Sequence, residues 1–67
     1  MATITEDPDR LVLPAELAEE IVVPERTLAQ WRYLGKGPAF IKVGKHVRYR
    51  RSDVEAWLDS QTRGGTG

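Results

Sequence analysis

Residues 24–51 read PERTLAQWRYLGKGPAFIKVGKHVRYRR, and the fold turns on where this stretch changes its period. On a wheel of about 100° per residue, Pro24, Leu28, Trp31 and Gly35 gather on one side, and Arg26, Ala29, Gln30 and Tyr33 on the other. Pro24 opens that helix with Glu25 near its positive end. Leu34 closes it, with Gly35 as a left-handed terminator. Gly37 and Pro38 then break any helix, and 39–43 and 47–50, around Gly44 and Lys45, read as the strands of a hairpin. Ile41, Val43, Val47 and Tyr49 are expected to face the core, which by period-two alternation turns Lys42, Arg48 and Arg50 outward.

Working upstream, Pro14 suits the first turn of a helix, where its missing amide would have no partner. Leu17, Ala18 and Ile21 follow at helical spacing, with Glu16, Glu19 and Glu20 on the wet side, so a helix is expected over about 14–20. Val22 and Val23 make a short connection. Downstream, Ser52 is expected to cap a third helix, with Glu55 completing a capping box and Val54, Trp57 and Leu58 forming the buried stripe. Residues 1–10 read as a loose acidic tail and 61–67, with three glycines near the end, as a second one. The working domain is then 11–60, mainly α with a small β-hairpin. Helix, tight turn, helix, basic hairpin, helix is the plan of a winged helix-turn-helix (α-α-β-β-α).

A chain of 67 residues has room for one domain, and folding hides only about 60% of its unfolded surface. With so small a core, Trp31 and Trp57 are expected to anchor it, joined by Leu17, Leu28, Val43 and Tyr49. The absence of cysteine excludes disulfides and thiolate metal sites, and a lone His46 excludes an imidazole cluster. No metal or other cofactor is expected. GKGP at 35–38 lacks the spacing of a phosphate loop, and no paired acid–base set is evident, so enzyme function is not expected. Neither a signal peptide nor an apolar span of roughly 20 residues is present, so a cytoplasmic protein with no membrane partner is expected.

The net charge of zero hides a separation along the chain. Residues 1–25 carry seven acids (Glu6, Asp7, Asp9, Glu16, Glu19, Glu20, Glu25) against Arg10, a balance of −6. Residues 26–51 carry eight bases (Arg26, Arg32, Lys36, Lys42, Lys45, Arg48, Arg50, Arg51) and no acid, a balance of +8. One face of a neutral protein is thereby made positive, and local potential is what attracts a polyanion. Double-stranded DNA is the expected partner.

The outward face of the second helix offers Arg26, Thr27, Ala29, Gln30 and Tyr33. Arginine bonds guanine in pairs, glutamine bonds adenine, and alanine touches the thymine methyl. Arg32 flanks that face and suits a phosphate. Lys36 leads into the wing, where Lys45 and His46 sit near the tip and Lys42, Arg48 and Arg50 line the outer side.

The run LPAELAEEIVVPERTLAQWRYLGKGPAFIKVGKHVRYRRSDVEAWL resembles the excisionase-type helix-turn-helix, a relative of the MerR-like winged helix. The telling parts are PERTLAQW leading to a glycine and GPAFIKVGKHVRYRRSDVEAWL. The resemblance implies a phage recombination directionality factor. Such a protein binds repeated sites beside an attachment junction, bends the DNA, and turns a tyrosine integrase toward excision without strand chemistry of its own. It places the recognition helix at 24–34 and the wing at 40–50. The family often has a polar cap before the proline of the first helix, where this chain has Leu13. The same domain serves small transcriptional regulators, so promoter binding stays open, as does a protein-interaction module using the acidic first helix. The opposed charges also raise head-to-tail self-association through Glu16, Glu19 and Glu20.

Overall fold

The computed structural model describes residues 7–64. Its elements run β1 (Leu11–Val12), α1 (Pro14–Ile21), α2 (Glu25–Leu34), β2 (Ile41–Val43), β3 (His46–Arg50) and α3 (Arg51–Gln61). The three strands form one antiparallel sheet in the order β1-β3-β2. Three helices around a small sheet with a protruding hairpin make this a winged helix-turn-helix fold.

The helices begin and end where the local chemistry directs. Pro14 occupies the first turn of α1, and Glu16 reaches back to accept the Leu13 backbone N–H at 3.0 Å. That is the half of a capping box which a leucine cap leaves available. Val22 ends α1 in the left-handed region (φ 59°, ψ 54°), and Val23 N–H donates to Ala18 O at 3.0 Å. Three residues later α2 starts, so a left-handed valine makes the tight turn between the two helices. Gly35 ends α2 at φ 74°, as its position led us to expect.

The core is centred on Val12, Leu17, Ala18, Leu28, Tyr49 and Val54, with Ile21, Val23, Trp31, Val47 and Leu58 packed against it. Burying a leucine or valine of this kind contributes about 1.5–3 kcal/mol, so Leu17, Leu28 and Val54, all at 0% exposure, dominate the packing of the helices. The tryptophans are not its centre. Trp31 and Trp57 are half-buried and lie against each other at the rim, ring centroids 5.4 Å apart and planes at 47°. Tyr49, at 1% exposure, fills the place expected of them.

The hairpin corrects the expected alternation on its first strand. Val43 pairs with His46, so Gly44 and Lys45 alone form the turn, and Gly44 takes φ 64° as a two-residue turn requires. Residues opposite each other share a face of the sheet. Ile41 and Val43 therefore share theirs with Arg48 and His46, while Lys42 shares its own with Val47. Expecting Val43 in the core amounts to a three-residue turn, and a slip of one residue moves every side chain of β2 to the other face. Val43 is accordingly 51% exposed. The alternation on β3 holds, with Tyr49 inward and Arg48 and Arg50 outward.

Two features at the chain ends of the domain also differ from expectation. Leu11 and Val12 form a strand, pairing with Arg50 and Tyr49. The preceding turn, Asp7 to Arg10, belongs to the fold: Arg10 O and Pro8 O accept the backbone N–H groups of Arg51 and Ser52 at 2.9 and 3.0 Å. Ser52 is therefore not the cap of α3. It lies inside the helix, which begins at Arg51 directly from β3, and carbonyls of the upstream turn satisfy its first amides. Residues 1–6 and 65–67 of the two expected tails lie outside the described residues, and Gln61 closes α3.

Candidate nucleic-acid interface

Packing of α2 is one-sided. Leu28 is fully buried, Trp31 and Thr27 are half-buried, and Arg26, Ala29, Gln30 and Tyr33 stand exposed, Tyr33 at 88%. A helix that buries one stripe against α1 and presents arginine, alanine, glutamine and tyrosine along the other can lie in a groove with those side chains against base edges. Periodicity anticipated this division, except that Thr27, expected on the outward face, is half-buried.

Beyond α2, Lys36, Lys42, Lys45, His46 and Arg50 are exposed and Arg48 is half-buried, its Nη1 donating to Val47 O at 2.7 Å. The outer face of the sheet carries Arg48, Arg50 and His46, interleaved with Ile41, Val43 and Leu11. Lys42 lies on the opposite face, yet β2 is an edge strand and its side chain stays in solvent. The wing is thus cationic on both sides, with an apolar component on the outer one.

Two arginines of the basic run serve the protein itself. Arg51 is 8% exposed and grips Glu20 with both terminal nitrogens, at 2.9 and 2.7 Å, while its Nε lies 3.5 Å from Glu55. That paired geometry holds the Glu20 carboxyl below the usual carboxylate range, chiefly by the hydrogen bonds from Arg51. Arg51 therefore adds little to the outer field. Arg32 is half-buried, donates from Nη1 to the Tyr49 hydroxyl at 2.8 Å, and lies over the Phe40 ring at 5.9 Å. It is not a freely extended side chain. Its position four residues after Leu28, beside the buried stripe, was the available sign of this.

The acidic side is likewise engaged. Glu16 pairs with Arg10 at 3.1 Å, and its carboxyl is held low first by the Leu13 N–H and then by Arg10. Of the three acids of α1, Glu16 and Glu20 are held by neighbours, which leaves Glu19 facing solvent.

A buried-stripe helix following a tight turn, with a cationic hairpin beside it, defines a DNA-binding domain of the winged helix-turn-helix class. The sequence profile of the helix-turn-helix domain matches residues 14–62, and the chain belongs to that family of DNA-binding domains, which includes excisionase-like proteins. No curated protein matches the chain. Among the described residues no helix is long and apolar enough to cross a membrane.

Proposed function

We propose that this protein is an architectural DNA-binding factor of the excisionase type, which bends attachment-site DNA and directs a tyrosine integrase toward excision. In this reading α2 enters the major groove, where Arg26, Ala29, Gln30 and Tyr33 meet base edges and Thr27 lies at the flank. The wing follows the backbone or the minor groove, with Lys36, Lys42, Lys45, His46, Arg48 and Arg50 toward phosphates. The single observation that carries it is the exposed polar face of α2 within a 26–50 stretch that holds no acid. The likeness of PERTLAQW and GPAFIKVGKHVRYRRSDVEAWL to excisionases puts recombination forward, with promoter control, which the same domain also serves, as the alternative.

Neighbouring copies on adjacent sites would meet head to tail, an open arrangement that can extend. Glu19 is the acid left for that contact, because Glu16 and Glu20 are engaged within the protein. A footprint across attachment DNA, with and without integrase, combined with a bend-angle measurement, tests the proposal. Several adjacent protected sites and a pronounced bend are expected. One protected, unbent site at a promoter would assign the protein to transcriptional control instead.

A further inference from the structure

We infer that Arg32 is a positioning residue that sets the angle of the wing against α2, and not a phosphate contact. The inference rests on the DNA-binding reading above. The backbone of α2 packs mainly on α1 and approaches the strands less closely. Side chains bridge the remaining distance. Among the described residues the Arg32 to Tyr49 bond is the side-chain hydrogen bond that joins α2 to the hairpin.

The bridge has three members. Arg32 comes from the last turn of α2, Phe40 precedes β2, and Tyr49 lies in β3. The Arg32 guanidinium covers the Phe40 ring, and the Phe40 and Tyr49 rings meet edge-on, centroids 6.4 Å apart at 63°. Tyr49 is itself immobilised, being 1% exposed and opposite Val12 in the sheet. A buried phenol needs a hydrogen-bond partner for its hydroxyl, and Arg32 is that partner. One arginine therefore ties the helix end to a fully buried tyrosine of the sheet.

The hairpin is a lever about this point. From Ile41 to the turn at Gly44 it extends about 10 Å at roughly 3.3 Å per residue, so a rotation of about 20° moves Lys45 by about 3 Å. That exceeds the tolerance of a hydrogen bond. Losing the clamp would leave every cation in place and take some of them off the duplex.

Two variants that keep the charge unchanged test this. Tyr49→Phe deletes the hydroxyl, and Arg32→Lys keeps the positive charge without the planar fork. Each is titrated against a labelled mixed-sequence duplex over a range of salt, at a temperature where its melting curve shows it folded. We expect each to bind roughly tenfold more weakly, about 1.4 kcal/mol, and to flatten the log–log salt slope by about one to two phosphates at 0.9 each. The double variant should be no weaker than either single one. A loss of stability alone would not alter the salt slope of the folded protein. Should Tyr49→Phe not fold, Arg32→Lys, at a half-exposed helical site, carries the test. Wild-type affinity and slope in either folded variant, or losses that add in the double one, would overturn the clamp while sparing the DNA-binding reading. Failure of the wild-type protein to bind the duplex would remove both.

Discussion

Replacing Glu20 by glutamine should cost this domain about 2 kcal/mol. Arg51 is 8% exposed and depends on Glu20 for two short hydrogen bonds, with Glu55 more distant at 3.5 Å. Breaking a fully buried ion pair from one side costs about 3–5 kcal/mol, because the remaining charge is stranded. Glu20 has a side chain 42% exposed, so water re-solvates part of the site and the cost must fall below that range. Glutamine also keeps one acceptor oxygen for Arg51. A lost hydrogen bond to a charged group, about 1.5–3 kcal/mol, is then the better guide. In a domain of this size each 1 kcal/mol moves the melting temperature by about 4–8 °C, so a drop of about 8–16 °C is expected. Thermal unfolding followed by circular dichroism reads this directly. Glu19→Gln, with no ion pair to break, should stay within about 0.5 kcal/mol of wild type. If Glu20→Gln melts no lower than Glu19→Gln, the assignment of Arg51 as an internally neutralised structural residue is wrong.

Other variants probe the backbone and the register. Val22 stands at φ 59° with 84% exposure, a conformation that costs an L-residue about 1–2 kcal/mol. Val22→Gly relieves it, offset by about 0.5–1 kcal/mol of chain entropy, so the melting temperature should rise by a few degrees; a fall would refute the strain. Val43→Thr should change stability by less than about 0.5 kcal/mol, since the side chain faces solvent, whereas a core position would lose well over 1 kcal/mol by burying the hydroxyl. Acid stability follows from Glu16 and Glu20, whose carboxyls are held below the ordinary value of 4.5 in the folded protein. Their contribution is complete above that value and is lost as pH falls through the lower, folded one. The melting temperature should therefore hold from neutral pH down to about 4.5 and drop below it, less steeply in Glu20→Gln. A drop already complete at pH 5 would contradict those pairings.

The helices were legible because their signals are local. Pro14, Pro24 and Gly35 mark ends, and Leu17, Leu28 and Val54 mark the buried stripes, without reference to the rest of the chain. The exposed face of α2 followed from the same periodicity. What was illegible depends on distant partners. Two residues, Leu11 and Val12, become a strand only because Tyr49 and Arg50 lie opposite. Ser52 has the chemistry of a cap, but the carbonyls of Pro8 and Arg10 reach the helix start first. The face of β2 depended on whether His46 belongs to the turn or to the strand, a one-residue choice that composition does not decide. Arg32 and Arg51 counted as surface charge until the fold brought Tyr49 and Glu20 to them.

On the proposed function, the cations left outside the fold form the surface that meets duplex DNA. Lys36, Lys42, Lys45 and Arg50 are exposed bases of the wing and its approach, and Arg48 stands half-buried among them. If each neutralises one phosphate, the logarithm of the binding constant should fall with the logarithm of salt at a slope of about −4 to −5. Measuring duplex affinity across salt concentrations is the most direct test. A slope in that range is expected for a duplex-binding surface, and an affinity indifferent to salt would contradict it.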